Sequence, residues 1–139
     1  MEVLDTLDIM FLGDLRDVRY IVDRELRSGG AIIEVSFMFD EAILRIIVDP
    51  DDDTVHLFLD EAGTGEIVTT TRISSFDDLI PSLLSKSFLW VWELTNQQGY
   101  RDGIQFEFAL REAGTRSTVT VQFIAIASSL EVYAVNKIV

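Results

Sequence analysis

The densest group of ionisable side chains is Asp49-Pro50-Asp51-Asp52-Asp53, followed by Asp60 and Glu61. Counted from Asp49, carboxylates fall at positions 1, 3, 5 and 12, which are ligand positions of a helix-loop-helix calcium loop. Position 6, however, is Thr54, where the sharp bend of such a loop needs glycine, and both flanks read as strands. A hairpin turn accounts for the run better: Pro50 presets φ and the aspartates accept hydrogen bonds from their own backbone. No metal site is expected here, and Asp51, Asp52 and Asp53 form an acidic loop suited to meeting a cationic partner. His56 is the single histidine, which excludes metal sites built on two or three imidazoles. A Ser-His-acid arrangement would need His56 as its base, and no nucleophile-elbow motif accompanies any serine. Alternation with Val55 and Leu57 points His56 away from those core positions.

The second concentration of chemistry is "LTNQQGYRDG", Leu94 to Gly103, lying between two very hydrophobic runs. Gly99 permits positive φ, and Asp102-Gly103 reads as a hairpin-type turn pair. Asn96 and Asp102 are expected to bond the loop backbone while Tyr100 caps the core beside Trp92. The loop is a structured turn first and a contact surface second. Asn96, Gln98, Tyr100, Arg101 and Asp102 are its candidate binding residues, since Tyr and Arg commonly anchor protein contacts. Gly29-Gly30 and Gly63-x-Gly65 border strand-like runs, with no helix start to bind phosphate. The 24 acidic residues can supply paired carboxylates for acid–base work, but sequence spacing selects none of them. No catalytic residue and no cofactor is assigned.

Strands must position these loops. "VRYIVDREL", "AIIEVSFMF", "AILRIIVD" and "VHLFLD" are rich in Val, Ile and Phe and are separated by turn-forming residues, which implies antiparallel neighbours. Ile32 to Phe39 and Ile43 to Val48 are apolar on nearly both faces, so these two strands should lie centrally. In "SSFDDLIPSLLSK" the period changes: Ser75 can cap a helix with Asp77 and Asp78 in its first turn. Pro81 leaves either a kinked helix or two short turns. Phe88, Trp90, Trp92 and Leu94 then alternate on one strand, and Ile104, Phe106, Phe108 and Leu110 on the next. "STVTVQFIAIA" and "LEVYAVNKIV" follow, with an apolar terminus at Ile138 and Val139 that should be tied into the sheet. At the start, Leu4, Leu7, Met10 and Phe11 suggest a short helix closed near Gly13. These elements predict an α+β domain: one strongly curved, mainly antiparallel sheet of about eight strands with two short helices. Trp90, Trp92, Phe106, Phe108 and Phe123 are expected to fill its concave side.

At 139 residues, 48% of them hydrophobic, the chain is the size of one domain with its own core. Eleven basic against 24 acidic residues give a charge of -13, which repels nucleic acid and anionic membranes and speeds encounter with a basic protein. The absence of cysteine fits a reducing compartment. Met1 to Asp8 has no basic segment leading into an apolar run, which argues against a signal peptide, and no apolar stretch is long enough to cross a bilayer. A cytoplasmic setting is expected.

"WELTNQQGYRDGIQFEF", Trp92 to Phe108, resembles a stretch recurring in a family of small, acidic bacterial proteins with no assigned function. Trp92, Asn96, Gly99, Tyr100, Asp102, Gly103 and Phe106 carry the likeness. It implies a bacterial, single-domain protein and brings no catalytic residues. The function expected from charge and size is that of an acidic protein-binding module, of the inhibitor or immunity type, for a basic partner. The alternative is a small-ligand-binding or enzymatic domain whose curved sheet encloses a pocket lined by Trp90, Trp92, Phe106 and Phe108, with Tyr100, Asp102 or Glu107 at its mouth. A homodimer is compatible with either.

Overall fold

Alternating apolar and polar residues build two antiparallel sheets. The computed structural model describes residues 2–3, 12–23, 25, 30–61, 74–110 and 118–135. The first sheet contains β1 (Glu2–Val3), β2 (Leu15–Asp23), β3 (Ala31–Phe39), β4 (Ala42–Asp49) and β5 (Thr54–Glu61), in the order β1-β5-β4-β3-β2. A helix, α1 (Ser74–Leu83), precedes the second sheet. That sheet is a meander of β6 (Ser87–Thr95), β7 (Arg101–Ala109), β8 (Thr118–Ile126) and β9 (Ser129–Val135), in chain order. β4 lies in the middle of the first sheet with β3 beside it. Even their outward residues Ser36 and Ile43 are buried, as the two-sided apolar pattern predicts.

The expected α+β class with one strongly curved sheet is therefore wrong. The protein is mainly β, with two antiparallel sheets, neither strongly curled nor closed, and one helix among the described residues. The meander does not continue from β5 into β6, because the chain between them carries α1 and starts a second sheet. The apolar faces of both sheets meet in a single core. Phe37 of β3 is its hub: its ring lies 5.6–6.2 Å from those of Phe88, Phe106, Phe108 and Phe123, all in the second sheet. Such edge-on contacts join the layers through both area burial and ring electrostatics.

α1 closes one border of this core. Phe76 and Leu83 are buried, and Phe76 meets Tyr20 of β2 edge-on at 5.1 Å. The Tyr20 hydroxyl donates to Asp77 Oδ1 at 2.7 Å, so a first-turn carboxylate also anchors the helix laterally. Pro81 is accommodated within one helix rather than splitting it into two turns. At the helix end the Lys86 ammonium donates to the Ser82 carbonyl, one of the acceptors a helix terminus leaves unpaired. Ser85 N–H donates to the Leu15 carbonyl (2.8 Å) and Leu15 N–H to that of Lys86 (2.7 Å), locking the exit from α1 onto β2. The expected opening helix at Leu4, Leu7, Met10 and Phe11 and the terminal Ile138 and Val139 lie outside the described residues, and Ser75 is the second residue of α1 rather than the residue preceding it.

Two aromatic residues stand where the sequence pattern does not put them. Trp90 and Trp92 are 58% and 40% exposed on the outer face of the second sheet, whereas Phe88, Phe106, Phe108 and Phe123 are buried. The pairing of β6 with β7 shifts between Phe88 and Trp90. A one-residue bulge moves every following side chain to the opposite face.

Candidate functional site

The two loops singled out by sequence meet at one end of the sheets. The β4–β5 turn is built by its own aspartates. Asp49 Oδ1 accepts from Asp51 N–H at 2.9 Å, and Asp52 Oδ1 accepts from Thr54 N–H and Oγ1 at 3.1 and 2.6 Å. Asp53 adopts φ +52° and accepts from Ser128 N–H at 2.7 Å. Ser128 belongs to the β8–β9 turn, where Ala127 and Ser128 also take positive φ, and its hydroxyl donates to the Pro50 carbonyl at 3.2 Å. Two turns from different sheets are thereby pinned together.

The β6–β7 turn lies beside them. Asn96 Oδ1 accepts from Gln98 and Tyr100 N–H at 2.9 and 3.2 Å, and the Asn96 N–H donates to the Tyr100 carbonyl at 2.9 Å. The bend is made at Gly99, whose φ is +87°. Asp102 and Gly103 lie inside β7, so they are not the turn pair expected of them. Gly103 serves packing: a Cβ there would come within 2.7 Å of Ile124 Cδ1. Tyr100 is 53% exposed and does not cap the core.

Between these turns opens a cleft of about 490 Å3, lined by Asp52, Asp53, Asn96, Gln98, Tyr100, Asp102 and the segment Ala125 to Ala127. It gathers six of the eight candidate residues. Asp51 is exposed but does not line it, and Arg101 is committed elsewhere. The Arg101 guanidinium donates to Glu93 Oε1 at 2.7 Å and to the Val55 carbonyl at 3.1 Å, bracing the second sheet on the first. Among the described residues three carboxylates and no Lys or Arg line the cleft, so its chemistry suits a cation.

A family model matches the chain over residues 1–139. The chain belongs to DUF6334, a family of unknown function. That finding extends the expected kinship with a family lacking an assigned activity from Trp92–Phe108 to the whole sequence. No curated protein and no solved structure matches it. For this DUF6334 member the chemistry has to be read from its own side chains.

Sequence reasoning missed the β8–β9 turn as a wall of the cleft. Its signal is slight, since Ala127 and Ser128 take up without glycine a backbone conformation that hairpins usually give to Gly, Asn or Asp. His56 is half-buried and faces outward as expected, with Nε2 2.9 Å from Thr54 Oγ1. Asp49, Asp52 and His56 have the donor types for a divalent cation, their ligand atoms within 4.8 Å of one another. One oxygen of each carboxylate is already occupied by the turn's N–H groups.

A second hollow, about 330 Å3, lies against the outer face of the first sheet, lined mainly by Ile21, Ile33, Ile47, Val48 and Pro50 around Glu34. Burial holds the Glu34 carboxyl above its ordinary 4.5, although Arg45 at 3.6 Å pulls the other way. A carboxyl raised on folding weakens the fold when ionised, and its stabilising effect grows as pH falls through the raised value toward 4.5. Glu34→Gln should therefore be more stable than the parent at neutral pH, with the gain fading below 4.5. Urea midpoints at the two pH values check this; a gain that persists in acid would mean that Glu34 is not its source.

No helix among the described residues is long and apolar enough to cross a membrane.

Proposed function

We propose that the protein is an acidic binding module whose end cleft receives a basic side chain, or a short basic segment, of a partner protein. The convergence of Asp52, Asp53 and Asp102 with Tyr100 in one cleft that no cation lines among the described residues carries this reading. Tyr100 supplies an exposed, rigid ring of the kind that anchors interfaces, and the carboxylates supply charge selection. The net charge of -13 extends the attraction beyond contact and makes encounter fast and salt-sensitive. The setting we propose is a bacterial cytoplasm, consistent with a chain lacking cysteine.

A ligand pocket among the aromatic residues has lost its support: the phenylalanines pack ring on ring and both tryptophans face outward. The hollow at Glu34 favours a small-ligand reading in one respect, a desolvated carboxyl on an apolar wall. That carboxyl already faces Arg45, and the cleft offers the richer polar set.

The test begins with capture of the partner from host lysate at low and high salt, identified by mass spectrometry. Replacing Asp51, Asp52 and Asp53 together by Asn keeps the turn, because an Asn Oδ1 accepts the same N–H bonds, and removes only charge. Stopped-flow association with the captured partner should slow by about tenfold and depend less steeply on salt. Kinetics indifferent to both changes would sink electrostatic docking.

A further inference from the structure

β6 is an edge of the second sheet, paired on one side with β7 and, among the described residues, with no strand on the other. A free edge offers a row of unpaired N–H and C=O groups, which proteins usually guard with Lys, Pro or a charge pointing inward. "SFLWVWELT" contains neither Lys nor Pro, and its one acid, Glu93, is held by Arg101. The register shifts fall near its ends, between Phe88 and Trp90 and between Leu94 and Thr95, leaving Trp90 to Leu94 regular. Beside this edge Trp90 and Trp92 stand two residues apart on one face, about 7 Å from each other along the strand.

We propose that β6 accepts an extended Arg- or Lys-bearing segment of a partner protein as an added strand, with cationic side chains stacked on Trp90 and Trp92. In such a strand alternate side chains would lie across from the two indoles, the cross-strand position from which side chains interact most directly. Exposed indole faces attract guanidinium and ammonium groups. A second copy is the poorer occupant, because each copy carries -13 and two such molecules repel. β6 also ends at Thr95, directly before Asn96, Gln98 and Tyr100 of the cleft, so a strand laid on it leads to the carboxylates at that end. The inference rests on the reading of a basic partner and assigns that partner's backbone conformation and a second contact surface.

Trp90 and Trp92 are the only two tryptophans in the chain, so intrinsic indole emission reports on this edge alone. The probe is a synthetic peptide alternating arginine with valine. Its controls are a citrulline version, which keeps shape but not charge, and a version with prolines between the arginines, which keeps charge but cannot pair as a strand. The arginine peptide should shift the indole emission, and labelled-peptide anisotropy should show about tenfold weaker binding for each control and for the Trp90→Thr/Trp92→Thr double variant, which retains strand propensity. Emission unmoved at saturating peptide, or a proline version that binds as tightly, would overturn strand addition, and equal binding of citrulline would overturn the cationic pairing. Sedimentation showing a dimer that the tryptophan variant dissolves would assign the edge to a second copy instead. The Asn variants of the cleft separate the two readings: they should slow association yet leave the indole response intact. A cleft without effect sinks the docking reading while the edge result stands by itself.

Discussion

Phe37→Ala is expected to remove about 3–5 kcal/mol of folding stability, a large share of the 5–15 kcal/mol typical of a domain. Phe37 is fully buried, and four of its five ring neighbours belong to the opposite sheet. Truncation therefore removes transfer free energy and leaves a cavity at the one place where β3, β6, β7 and β8 all contribute side chains. Backbone hydrogen bonds within each sheet do not hold the sheets to each other; this ring cluster does. Trp92→Thr provides the contrast, since its exposed ring should cost less than about 0.5 kcal/mol. Urea unfolding followed by circular dichroism measures both. A loss at Phe37 below about 1 kcal/mol would mean that the interface between the sheets is held elsewhere.

That contrast also shows what the sequence discloses. β3 and β4 coincide with "AIIEVSFMF" and "AILRIIVD", and the other strands except β1, which no pattern marked, lie within a few residues of their sequence limits, because β-branched and aromatic runs bounded by turn residues are local signals. Asp49 to Thr54 was legible as a hairpin for the same reason: its aspartates bond their own backbone. The face taken by Trp90 and Trp92 was not legible. A bulge after Phe88 inverts the alternation, and it is a property of pairing with β7 rather than of β6 alone. Nor does any local pattern tell a single meander from two sheets, since the contacts that join them across the core, Phe37 and its partners foremost, link residues far apart in the chain. The cleft was half visible. Both of its acidic and amide loops stood out by composition, but their meeting depends on the bond between Asp53 and Ser128, residues far apart in the chain.

Asp53 carries the second large effect, because it joins that geometry to the proposed function. Asp53→Ala should cost about 2–3 kcal/mol, the sum of a part-buried Ser128 N–H left without its acceptor and an alanine forced to φ +52°. Asp53→Asn should stay within about 0.5 kcal/mol of the parent, because asparagine tolerates the left-handed region and its side-chain oxygen can still accept the bond. Both variants lose the same charge. Only alanine releases the β8–β9 turn from the β4–β5 turn, with the weaker Ser128–Pro50 contact left to hold them. Against a basic partner, asparagine should therefore slow association and leave dissociation nearly unchanged, whereas alanine should also speed dissociation, because the cleft wall at Ala125 to Ala127 is no longer fixed. Surface-bound kinetics of the two variants, read beside their unfolding midpoints, isolate charge from shape. Identical dissociation rates would show that the pinned turns do not shape the binding surface.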